Sequence, residues 1–243
     1  LNNAGYLART TSPSSRWRLG QSKLLNQEST IAMKLKPPPA PTEEKQAERK
    51  EQSIQWAKER LADPDTLIVD VETTGLLHKD PDTEIVQLTI INNEGRVVFS
   101  TLVNPDRPIP LAAQKVHGID DRMVKTMPKF SQCIGDLISG IFHEKHIVAF
   151  NAGFDVHMIM TLFQKYDIPL PEFECTCAME EYSAFVGEWS KAKGDYKWQK
   201  LPKLAYGQAH DSMIDAQSTL LLMKRMAGDF SDQPEPDDLE LDF

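Results

Sequence analysis

Residues 66–75 read Thr66-Leu67-Ile68-Val69-Asp70-Val71-Glu72-Thr73-Thr74-Gly75, an apolar run that ends on two acids and breaks at a glycine. Thr66 to Val71 has the length and branched side chains of a short strand, and Thr73-Thr74-Gly75 turns the chain out of it. Side chains on a strand alternate, so Asp70 and Glu72 project to one face and Val71 to the other. Two like charges held that close repel unless a cation lies between them. A hard divalent ion such as Mg2+ or Mn2+ is the natural neutraliser, because it takes oxygen ligands. Taken alone, the same pair also fits a solvated strand end.

The flanks set this strand in a domain. Two further strands, Glu84 to Ile91 and Arg96 to Val103, are joined by Asn92-Asn93-Glu94-Gly95, a hairpin signal. Leu111 to Met127 reads as short helical pieces, and Ser131 to Phe142 as a helix with Ser131 as N-cap. His146 to Phe150 is a buried strand and Gly153 to Tyr166 a helix. Phe173 to Cys177 is the last strand, with a helix beyond it to about Val186. A loop follows from Gly187 to Pro202, and Asp211 to Met226 is an apolar closing helix. Three strands and then alternating helix and strand imply an α/β fold with a mixed sheet flanked by helices. Upstream, Glu43 to Ala62 is a helix that docks through Trp56 and Leu61. The chain therefore divides into a tail at 1–42, disordered or non-native, a helix at 43–63, the main domain at 64–228 and an acidic tail at 229–243. Leu1 as first residue and Met33 further on favour a fragment or an upstream-extended reading frame for the first tail.

Two more acidic elements lie far along the chain. Asn151-Ala152-Gly153-Phe154-Asp155 follows the strand at His146, with Asp155 in the first turn of a helix, where a negative charge suits the helix dipole. His210-Asp211-Ser212-Met213-Ile214-Asp215 enters the last helix, with Asp215 on a helix whose other face is apolar. The order Asp-x-Glu-Thr-Thr-Gly, Asn-x-x-Phe-Asp and His-x-x-x-x-Asp resembles the DEDD exonuclease superfamily, in the branch of the epsilon-like proofreading subunits of bacterial DNA polymerase III. The likeness runs from about Thr66 to Met226 and takes in Asn104-Pro105, Ile109-Pro110 and Val116-His117-Gly118-Ile119. A sister branch carries Tyr four residues before the final Asp; here that position is Asp211, so the histidine branch matches.

The resemblance implies a ribonuclease H-like fold with a five-stranded mixed sheet, and 3′→5′ hydrolysis at the end of a nucleic-acid strand. It also implies two Mg2+ or Mn2+ ions held by Asp70, Glu72, Asp155 and Asp215, with His210 as general base. Two such ions activate a water and neutralise the leaving oxygen. Thr73 and Thr74, beside Glu72, are expected near the terminal nucleotide, and the family likeness adds Val116, His117, Asn151 and Phe154. The expected substrate is single-stranded or frayed DNA, in replication or repair. An RNA or short-oligonucleotide exonuclease on the same site is the alternative, and a non-catalytic polymerase or clamp accessory module a remoter one.

Composition sets the remaining bounds. A net charge of −9 is unusual for a nucleic-acid enzyme. Seven acids and no base fall between Asp229 and Phe243, so the remaining 29 acids against 27 bases leave only −2. No apolar stretch reaches the roughly 18 residues of a membrane span. Cys133, Cys175 and Cys177 cannot all pair within the chain, which favours reduced, buried thiols in a cytoplasmic protein. The loop from Trp189 to Lys203 interleaves Lys191, Lys193, Lys197, Lys200 and Lys203 with Trp189, Tyr196 and Trp198, a pattern that suits a single-strand path. The terminal Asp238-Leu239-Glu240-Leu241-Asp242-Phe243 has the Leu-x-Leu-x-Phe spacing of sliding-clamp peptides, though Asp238 stands where such peptides begin with Gln.

Overall fold

The computed structural model describes residues 37–202 and 210–229, together with two short strands, β1 (Ala8–Arg9) and β2 (Trp17–Arg18). Helix α1 (Glu43–Ala62) is capped by the Thr42 hydroxyl, which accepts from the Lys45 N–H. Strands β3 (Thr66–Thr73), β4 (Ile85–Asn92) and β5 (Val97–Leu102) form an antiparallel meander. Asn92 closes the β4–β5 turn, its side-chain oxygen accepting from the N–H groups of Glu94 (3.1 Å) and Arg96 (2.8 Å). The short helices α2 (Leu111–His117) and α3 (Asp121–Val124) follow. Strands β6 (His146–Ala149) and β7 (Glu174–Cys177) then add in parallel on the other side of β3. The sheet runs β1-β2-β7-β6-β3-β4-β5. The five strands β7-β6-β3-β4-β5 are the mixed sheet expected from the sequence, and β1 and β2 extend the β7 edge antiparallel within the segment read as a tail.

Helices cover both faces. Leu67, Val69 and Val71 of β3 pack into a core with α4 (Gly135–Phe142) and α5 (Asp155–Lys165). Ile68 joins the opposite core, with Trp56 of α1, Ala178 of α6 (Ala178–Val186) and Ala216 and Leu220 of α7 (Ser212–Met226). A strand buried on both faces loses the polar alternation of a surface strand, which is why residues 66–71 are almost wholly apolar.

Three details differ from the sequence reading. Ser131 is not an N-cap: a π-helical turn, Phe130–Ile134, precedes α4 and includes it. The wider turn buries Phe130 against Phe163, ring centroids 5.9 Å apart. Gly135 then lets Ile168 close over the turn, since an added Cβ would lie 2.0 Å from the Ile168 Cδ1. Cys133, on this turn, is exposed, whereas Cys175 and Cys177 are buried free thiols. The loop after α6 contains a two-stranded ribbon, β8 (Trp189–Ser190) and β9 (Asp195–Tyr196). Lys203 and the acidic tail from 230 onward lie outside the described residues, and so do most of the residues before 37. Among the described residues no helix is long and apolar enough to cross a membrane.

Candidate active site

The acids meet where β3 leaves β6. Pairing between these strands ends at Ile68 and Val148, so the β6-side edge of β3 is open beyond that point. The Val71 N–H, left without a strand partner there, donates to Asp155 Oδ1 at 3.2 Å. Asp155 opens α5 on one side of the sheet and reaches the strand end through this gap. On the other side, α7 brings in Asp215. Glu72 Oε, Asp215 Oδ and a His210 ring nitrogen all lie within 4.8 Å of one another.

The start of α7 is pinned to β4. Gln87, opposite Glu72 in the strand register, accepts from the Ser212 N–H (3.1 Å) and donates to Asp211 Oδ1 (3.4 Å). Thr89, opposite Asp70, shares a hydrogen bond with the Ser212 hydroxyl at 2.7 Å. Asp211 caps the helix by accepting from the Met213 N–H at 2.9 Å. Immediately before it, His210 adopts a left-handed backbone with φ of 62° and presents an exposed imidazole. The cross-strand partners of the two acidic strand residues thus hold the helix that supplies the histidine and the last acid.

Burial and mutual repulsion dominate the electrostatics. Burial, then the charges of Asp155, Asp215, Glu72 and Asp211, hold the Asp70 carboxyl well above its usual range. Glu72 is pushed up to about 8 by burial and then by Asp215, Asp155 and Asp211. Asp155 rises to about 7, chiefly by burial, although N–H donors from Val71, Asp155 itself and Asn151 pull the other way. Buried acids whose pKa values are raised further by neighbouring carboxylates make a strong site for a cation. The donor set, carboxylate oxygens with one imidazole nitrogen, fits a hard divalent ion.

The residues expected around the terminal nucleotide divide. Thr73 and Thr74 are buried, and their hydroxyls serve the turn: Thr73 donates to Gly75 O (2.6 Å), and Thr74 accepts from the Glu84 N–H (3.0 Å). His117 is buried at the end of α2. Its Nδ1 accepts from the Ile119 N–H at 3.0 Å, which leaves the proton on Nε2 to be donated to Thr73 O at 3.3 Å. Burial lowers the His117 pKa; the hydrogen bond to Thr73 O opposes this, and the nearby His210 adds a further lowering. Val116 is exposed beside it, Asn151 is exposed before α5, and Phe154 packs half-buried against the core. The sequence reading missed Asp211, Gln87 and Thr89. For Asp211 a signal exists, since Asp-Ser before an apolar helix is a capping pattern. Gln87 and Thr89 are polar residues inside an apolar strand, and only the sheet register gives them a partner.

The exonuclease family profile matches residues 67–223. An exonuclease of Escherichia phage 186 is 34% identical over 186 residues, covering 71% of this chain and 93% of that protein. The epsilon subunit of DNA polymerase III from Rickettsia conorii is 33% identical over 119 residues, 45% of this chain and 50% of the subunit. In three dimensions, Escherichia coli exonuclease I in complex with a dT13 oligonucleotide superposes with a TM-score of 0.51 at 17% identity. That match covers 66% of this chain and 40% of exonuclease I, and it supports the ribonuclease H-like fold. The chain thus spans nearly the whole phage protein but half or less of the other two.

Proposed function

We propose that this chain, which belongs to the exonuclease family, hydrolyses the terminal phosphodiester at the 3′ end of single-stranded or frayed DNA and releases nucleoside monophosphates. The observation that carries this reading is the convergence of Glu72, His210 and Asp215 within 4.8 Å, with Asp155 close enough to Asp70 to raise its pKa.

Asp70, Glu72, Asp155 and Asp215 would hold divalent metal, two Mg2+ or Mn2+ ions by analogy with the family. Bound there, such ions supply Lewis-acid activation of a water and neutralisation of charge on the phosphoryl group. His210 takes the proton of the attacking water on its exposed imidazole, a role for which its position beside Glu72 and Asp215 suits it. Asp211, by capping α7, holds the histidine's backbone at the helix entry. The turn at Thr73 and Thr74, anchored to Glu84 and to His117, forms the wall against which the terminal nucleotide would rest. By likeness to the family, Val116, Asn151 and Phe154 would contact it as well; the first two are exposed and Phe154 is half-buried against the core.

Digestion of 3′- and 5′-labelled oligonucleotides with Mg2+, with Mn2+ and with chelator tests the reading. Release of monophosphates from the 3′ end that stops on chelation is expected; release from the 5′ end, or turnover in chelator, would refute it. An RNA strand run in parallel decides substrate class, since the two differ locally by a 2′-hydroxyl. The C-terminal clamp-like peptide lies outside the described residues, and binding to a sliding clamp or a polymerase stands as a proposal that a pull-down with and without the last six residues would decide.

A further inference from the structure

The ribbon β8–β9 and the residues after it divide their aromatic side chains between two jobs. Trp189 and Tyr196 face each other across the ribbon, ring centroids 5.3 Å apart at 87°, and both are half-buried. They hold the two short strands together. Trp198, two residues on, is 66% exposed, a large apolar ring turned toward solvent. The Lys193 ammonium sits 4.6 Å from the centre of that ring. Ring and charge therefore form one unit, held by a cation–π interaction.

Charge on the ribbon runs against that of the chain. Residues 188–200 carry four lysines against Glu188 and Asp195, in a protein of net charge −9. Lys197 Nζ is 3.2 Å from Glu188, so Glu188 is already engaged, while Lys191, Lys193 and Lys200 are exposed.

The platform is braced at both ends. At its tip, Gly194 has φ of +67°, and a Cβ there would lie 2.3 Å from Pro38 Cδ, so the tip is wedged against Pro38 in the Pro37-Pro38-Pro39 run ahead of α1. At its exit, the Gln199 N–H donates to the Ser183 hydroxyl of α6 at 3.3 Å, and Leu201 packs against the core cluster that contains Ala216 and Leu220 of α7. Nine residue steps separate Leu201 from His210 in the sequence, a reach of about 30 Å at most.

We propose that the outer face of this ribbon, carried by Trp198, Lys191 and Lys193, binds the single strand of nucleic acid upstream of the nucleotide being removed, with a base stacked on Trp198. This rests on the exonuclease reading above and extends it to a second binding surface for the same substrate. A base needs a flat apolar surface and the following phosphate a cation, and this face offers the two side by side. Non-sequence-specific grip of this kind lets a strand feed past the catalytic acids one residue at a time.

The test uses the full chain in chelator, where nothing is cut, with fluorescein-labelled oligothymidylates of about 4 and about 16 nucleotides. The longer strand should bind more tightly to the wild type. Trp198→Ala should weaken that binding about tenfold while leaving the short strand unaffected. Replacing Lys191 and Lys193 together by Gln should flatten the salt dependence of long-strand binding, its slope falling by about 0.7 for each phosphate no longer neutralised. All variants should hydrolyse a chromogenic thymidine monophosphate ester, which has no upstream strand, at the wild-type rate with Mg2+ or Mn2+. Long-strand binding unchanged in Trp198→Ala, or equal weakening on short and long strands, would overturn the proposal. Failure of the wild type to cleave either the ester or the long strand would instead remove the exonuclease reading, while the chelator measurements still decide the surface.

Discussion

Burial and neighbouring charge hold the carboxyl side chains of Asp70, Glu72 and Asp155 above the usual carboxylate range. Removing one of the site's acids should end turnover without unfolding the protein, because Asp70 and Glu72 stand in the part of β3 beyond its pairing with β6, and Asp155 and Asp215 in the first turns of helices. Asp70→Ala, Asp155→Ala and Asp215→Ala are expected to abolish release of monophosphates with an unchanged circular dichroism spectrum. His210→Ala should slow release by roughly 10²–10⁴-fold, the usual range for loss of a general base. The pH dependence of stability follows from the same charges. The folded values of Glu72 (about 8) and Asp155 (about 7) lie above the ordinary values of 4.5 and 3.8. Folding therefore binds protons, and the stability these two groups contribute is fully present below the ordinary values and lost as pH rises through about 7 to 8. In chelator, the melting temperature should fall as pH rises from those ordinary values toward about 8 and level off beyond it, and Glu72→Gln should flatten the fall. A profile that rises instead would show these acids to be charged in the metal-free protein.

Two elements depend on interactions that run across the sheet. Helix α7 is positioned by Gln87 and Thr89, so Gln87→Ala should cost about 1–3 kcal/mol by leaving the Ser212 N–H unpaired. It should also lower kcat more than it raises KM, because the histidine and Asp215 move together while the Thr73–Thr74 turn, proposed to meet the nucleotide, stays. A drop confined to KM would show that the start of α7 serves binding. Helix α1 docks through Trp56, which is buried and donates from Nε1 to the Thr176 hydroxyl at 3.3 Å. Trp56→Ala should destabilise the protein by about 3–5 kcal/mol in urea denaturation. A change below about 1 kcal/mol would mean that α1 is an appendage rather than part of the fold.

For the molecule as a whole, a cation bound to the folded site adds stability by mass action, about 2.7 kcal/mol at a hundredfold excess over Kd. The melting temperature should accordingly rise on adding Mn2+ or Mg2+, and rise more at about pH 8 than at about pH 5, where protons compete for the same oxygens. The same increase at both pH values would place the bound metal away from these acids. The layered α/β/α architecture was legible from the chain, because a strand buried on both faces must be nearly continuous in apolar residues and a helix must show its amphipathic spacing. Asp70 and Glu72 could be assigned to one face for the same local reason, since alternation along a strand needs no knowledge of the rest of the protein. The local sequence could not reveal that Asp155 reaches β3 through the gap left when β6 ends at Val148, nor that Gln87 and Thr89 seat α7. Nor could it separate Trp198, which faces outward, from Trp189, which faces its ribbon partner. Those facts depend on which strands are neighbours and in what register, and neighbourhood is set by the packing of segments more than 80 residues apart. Period and propensity are properties of a stretch of chain; the cage of acids is a property of the assembled sheet and the helices packed on it.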